Sequence, residues 1–104
     1  MKVVVSDRAK FHREQIARYI LRDFGEKALL DFRKAYMETK QFITHHPEGC
    51  QVEEHLSNEQ YKYHFTNING LTKLLYRIDG EKIYIVDMWD VRQEPPTFPK
   101  VHDY

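Results

Sequence analysis

Residues 61–89 read YKYHFTNINGLTKLLYRIDGEKIYIVDMW, and this stretch decides the fold. Tyr61, Tyr63 and Phe65 alternate with Lys62, His64 and Thr66, the period-two pattern of a half-buried strand. Asn69-Gly70 supplies a turn, because both residue types tolerate the positive φ that tight hairpins need. Leu71 to Ile78 reads as a second strand, Asp79-Gly80 as another turn, and Lys82 to Trp89 as a third strand rich in Ile, Tyr and Val. Three strands at this spacing form an antiparallel meander, and its apolar side needs a cover.

The first half of the chain provides that cover. Val3, Val4 and Val5 form a short β-branched run, read as a first strand. Ser6 and Asp7 then offer side-chain oxygens to the unpaired N–H groups of a helix start. Ala9, Ile16, Ile20 and Phe24 recur at helical spacing, with Ala17 and Leu21 alongside, until Gly25 ends the helix. A second helix is expected from about Glu26 to His46, with Leu29, Phe32, Tyr36 and Ile43 on one face, stopped by Pro47 and Gly49. Two amphipathic helices joined by one tight turn make a hairpin that buries its apolar stripe on the sheet. The expected fold class is α+β, in the order β-α-α-β-β-β, with the hairpin on one face of an antiparallel sheet. Residues 47–60 read as a polar loop, residues 1–96 as one domain, and residues 97–104 as an extended C-terminal tail.

Bulk properties bound the class. A chain of 104 residues with 41% hydrophobic and 13% aromatic content has enough apolar side chains for one core. The single cysteine, Cys50, excludes an intramolecular disulfide and fits a reducing compartment. Val3 to Val5 is followed at once by charged residues, so neither a signal peptide nor a membrane helix is expected there, and the expected location is cytoplasmic. Net charge is zero but unevenly spread. Residues 1–46 hold 10 Lys and Arg against 6 Asp and Glu, and residues 47–104 hold 6 against 10. A nucleic-acid-binding protein usually carries a clear basic excess, which this chain lacks.

Several stretches together resemble the RelE/ParE superfamily of toxins from type II toxin–antitoxin systems. Ser6, Ala9, Ile16-Ala17-Arg18-Tyr19-Ile20, Phe24-Gly25, Ala28 and Phe32 are similar to the ParE-type opening. His46-Pro47-Glu48-Gly49 resembles the family's Pro-x-Gly helix end, and Leu74-Leu75-Tyr76-Arg77-Ile78 its penultimate strand. Ile83 to Pro95, ending Trp89-Asp90-Val91-Arg92-Gln93-Glu94-Pro95, resembles the last strand and its Arg-x-x-Pro exit. The resemblance spans roughly residues 2–96. It implies growth inhibition relieved by a cognate antitoxin protein, of the kind that serves plasmid stabilisation. ParE-like members poison DNA gyrase, whereas RelE-like members cleave mRNA on the ribosome.

Ribosome-dependent cleavage needs no metal and no cofactor, and neither is expected here. It needs a base for the ribose 2′-hydroxyl, a cation for the phosphate and an acid for the leaving oxygen. By the resemblance, Lys62 and His64 match two basic positions of the RelE strand, Lys73 stands where an arginine is usual, and Arg92 falls near a second family arginine. Lysine offers phosphate a point charge in place of a bidentate fork. Phe98 lies close to the family's tail tyrosine but transfers no proton, and Tyr104 is a loose substitute. Arg77, Trp89 and Phe98 are candidate binding residues, tryptophan being enriched at binding hot spots. A solvent-facing strand is ordinarily rich in Lys, Arg and Thr, so the basic residues are also what any half-buried sheet shows. The leading expectation is therefore a ParE-like toxin that binds an essential protein. The alternatives are a metal-independent endoribonuclease and a non-toxic interaction domain.

His12, His55 and His102 stand alone, and His45 and His46 point to different helix faces, so a metal site is not expected. Cys50 has no nucleophile signature around it.

Overall fold

Strand β1 (Lys2–Val5) leads into α1 (Asp7–Phe24) and α2 (Glu26–His45), followed by β2 (Gln51–Val52), β3 (Tyr63–Ile68), β4 (Thr72–Asp79) and β5 (Lys82–Asp90). These come from a computed structural model that describes residues 1–91. The α+β layout read from the sequence is what folds: a helical hairpin on one face of a five-stranded, mostly antiparallel sheet. Residues 97–104 and the end of the 1–96 segment lie outside the described residues. Among the described residues no helix is long and apolar enough to cross a membrane.

The sheet order is β1-β5-β4-β3-β2. β1 runs parallel to β5, pairing Lys2 with Lys82 and Val5 with Ile85, while the other neighbours are antiparallel. Two details differ from the sequence reading. Within the expected loop 47–60, Gln51 and Val52 pair with Phe65 and His64 as a short edge strand. The β3–β4 connection also takes three residues, Asn69, Gly70 and Leu71, since Ile68 pairs with Thr72. Asn69 and Gly70 both hold positive φ there (53° and 74°), the region open to Asn and Gly. The β4–β5 turn keeps two residues, with Gly80 in the first central position at φ 60°.

Helix α1 starts where the sheet needs it. The Ser6 hydroxyl accepts the Ala9 N–H at 2.9 Å and donates to the Val86 carbonyl at 2.6 Å. One buried side chain thus caps the helix and ties it to the central strands. Ser6→Ala is expected to lower unfolding stability by about 1–2 kcal/mol, because a cap and a buried carbonyl both lose their partner. A shift in the urea midpoint at constant slope would measure it; no shift would show that the hydroxyl ties nothing.

The Val86 carbonyl belongs to a bulge. Leu75 pairs with Asp87 but Tyr76 pairs with Ile85, so Val86 is an extra residue in β5. The insertion breaks strict alternation, and Ile85 and Met88, three apart, both face the helices. There they join Ala9, Phe32, Tyr36, Ile43, Ile68, Leu74, Tyr76 and Ile83 in the main core. Tyr63, Leu75, Val86 and Trp89 form a second cluster on the other side, covered in part by Leu56 from the 53–61 segment. Both faces of the central strands are therefore buried.

Candidate functional site

The face away from the helices is aromatic with two cations set into it. β3 puts Tyr63 and Phe65 on this face, and the register brings Arg77 opposite Tyr63 and Leu75 opposite Phe65. Lys73 pairs with Trp89 and Arg77 with Tyr84 on β5. The Lys73 ammonium sits 4.0 Å from the centre of the Phe65 ring and 5.7 Å from that of Trp89, with Glu53 Oε2 at 3.3 Å. The Arg77 guanidinium lies 4.1 Å from the Tyr61 ring centre, 5.0 Å from Tyr84 and 5.9 Å from Tyr63. It also donates to the Tyr63 hydroxyl at 3.1 Å and pairs with Asp79 at 3.2 Å.

Electrostatics keep Arg77 charged in this setting. Burial works against its charge, but the Tyr63 hydroxyl and the Asp79 carboxylate outweigh that and hold its pKa above the ordinary value. Burial likewise pushes the Tyr63 hydroxyl up, with Arg77 pulling the other way. A guanidinium stacked among three tyrosines and anchored at both ends is a rigid element.

Lys62 and His64 are elsewhere. His64 pairs with Tyr76, a residue of the helix-side core, so its ring lies on the helix side of the sheet and not on the aromatic face. It is fully buried and stacked on Tyr76, with ring centres 5.2 Å apart and planes 12° apart. Lys62 lies just before β3 and is exposed, its ammonium 3.3 Å from Glu48 Oε2. The same carboxylate oxygen is 3.9 Å from His64 Nε2.

The four residues matched to nuclease positions are thus not brought together. Lys62 and His64 belong to the helix side and Lys73 to the opposite face, while Arg92 lies outside the described residues, as do Phe98 and Tyr104. Acid–base catalysis needs its groups within hydrogen-bond reach of one reacting centre, and two sides of a sheet do not provide one. The expected binding residues Arg77 and Trp89 do share a face, where both are themselves buried, while Tyr61, Phe65, Lys73 and Tyr84 on it remain partly exposed. Tyr, Trp and Arg are the side chains that carry most binding energy at interfaces.

Another polar group has no sequence signature. Asp87, turned toward α1 beyond the bulge, meets His12 Nδ1 at 2.6 Å, accepts from the Met88 N–H at 2.8 Å and pairs with Arg8 at 3.5 Å. Asp87 and His12 stand 75 positions apart, and no local spacing links them. Only Arg8 and His12, one turn apart on α1, hint that two cations share a side of the helix. Neither a protein-family model nor a curated protein matches this chain, so its own residues carry the functional reading.

Proposed function

We propose that the chain is a growth-inhibiting toxin of the RelE/ParE type, acting by holding an essential protein target of the gyrase kind and neutralised by a cognate antitoxin. The motifs from Ser6 to Pro95 suggest the family, and the observed order, β-α-α followed by the β3–β4–β5 meander with the short β2 added before it, agrees with what they imply. One observation favours target binding over RNA cleavage. The cations needed for cleavage are divided between two sides of the sheet, and His64 is sealed from any substrate. The partly exposed Tyr61, Phe65, Lys73 and Tyr84, set around the buried Arg77, are large side chains of the kind that anchor a protein partner.

Induced expression in a bacterial host tests this reading. Growth is expected to stop, with gyrase-dependent DNA breaks and unchanged mRNA ends. Lys62→Ala is expected to leave toxicity within about twofold, since an exposed ion pair contributes little to the fold. Ribosome-dependent mRNA cuts that disappear in Lys62→Ala would instead establish the endoribonuclease alternative. Unimpaired growth would leave an interaction domain without toxicity.

A further inference from the structure

We infer that His64 is a proton-operated clasp between β3 and the turn that joins α2 to β2. Its ring places Nδ1 3.0 Å from the Cys50 carbonyl oxygen. A carbonyl only accepts, so Nδ1 carries a hydrogen and the neutral ring holds its lone pair on Nε2. Nε2 is buried without a hydrogen-bond partner, and the nearest carboxylate oxygen is that of Glu48 at 3.9 Å. In the neutral ring, then, a lone pair faces a carboxylate, and nothing is donated between them. A buried polar atom in that position calls for a physical explanation.

A proton on Nε2 converts the contact. The imidazolium donates to Glu48, and the Glu48 carboxylate moves inward from an exposed position, where it otherwise serves Lys62 alone. The surroundings suit a switch with one moving part. On the β4 side, Tyr76 stacks on the ring and donates its hydroxyl to the Pro47 carbonyl at 2.7 Å, so the turn is already anchored at one end. On the β2 side the Cys50 carbonyl holds Nδ1. On the β3 side Lys62 competes for the same carboxylate. Among the described residues no carboxylate from either helix comes within ion-pairing distance of His64. With Pro47 and Cys50 both held by hydrogen bonds, the clasp closes by rotation of the Glu48 side chain. This inference is independent of the toxin reading.

Side-chain nitrogen and carbon NMR of the labelled full chain tests it. In mildly alkaline solution His64 is expected as the Nδ1–H tautomer, the minor form of free histidine. On acidification the Nε2 signal is expected to move to the protonated position, with the Glu48 carboxylate signal moving in the same step. In Glu48→Gln about threefold more proton is expected to be needed, the size of an exposed ion pair, and in Lys62→Ala less is needed than in the parent. A neutral ring with its hydrogen on Nε2, a ring that stays neutral while the protein is folded, or a Glu48 signal indifferent to His64 overturns the clasp. So does protonation of His64 that is the same in Glu48→Gln as in the parent, provided its amide spectrum shows an intact fold.

Discussion

Tyr76→Ala is expected to remove about 3–5 kcal/mol of stability, the loss typical of a fully buried aromatic ring cut back to a methyl group. The ring sits in the middle of β4 among Ile43, Leu74 and Ile85 of the main core, and His64 is stacked against it. Truncation leaves a cavity that the rigid central strands cannot close, and it exposes one face of a buried imidazole. The hydroxyl is a smaller part of the total. It donates to Pro47, and burial, together with the Cys50 thiol and the Glu48 carboxylate nearby, holds its ionisation far above the usual phenol range. It is therefore a donor at every pH at which the protein is handled. Tyr76→Phe, which deletes that one bond, is expected to cost only about 1 kcal/mol. Urea unfolding of the two variants separates ring from hydroxyl. Equal losses in both would show that the hydrogen bond to Pro47, and not packing, holds this part of the sheet.

Asp87→Ala is expected to cost about 3 kcal/mol, seen as a drop in melting temperature of roughly 10–20 °C for a domain of this size. The carboxylate is fully buried, and its oxygens bind His12, Arg8 and the Met88 amide. Removing it strands a backbone N–H and separates α1 from the strand under it. His12 and Arg8 are each about a third exposed, so water partly rehydrates them, which places the loss at the low end for a broken buried pair. Asp87→Asn preserves shape and one accepting oxygen and is expected to recover about half of that loss. A melting temperature unchanged in Asp87→Ala would mean that the cluster is incidental to the α1–β5 contact.

All the elements except the two-residue β2 are legible because each rests on a local signal. Ser6 caps, Gly25 breaks, Pro47 stops, and the glycines at 70 and 80 turn the chain, all within a few residues of the structure they create. The sides of the sheet were not legible in the same way. Alternation from Tyr61 to Thr66 separates two faces but does not say which one meets the helices, and here the aromatic residues turn away from them. Leu74 and Leu75 are adjacent and both fully buried, the mark of a sheet covered on both sides, so hydrophobicity alone could not choose. The bulge at Val86 then shifts the facing of β5 midway along the strand, and no residue near it announces the extra position. The candidate site suffered most. By resemblance Lys62, His64 and Lys73 match positions of one site, and only the register between strands divides them.

The placement of β1 also bears on how the chain comes to be folded during synthesis. Among the described residues its strand partner is β5, so Lys2 waits for Lys82 across 80 positions. Closing so long a loop is entropically costly, and in a chain made from its N-terminus β1 finds its partner among the described strands only once β5 has been translated. A nascent chain emerging from the ribosome can form the α1–α2 hairpin early, but the surface assembled from β3, β4 and β5 exists only when β5 arrives. The β3–β4–β5 surface is therefore complete only in a chain translated through Asp90.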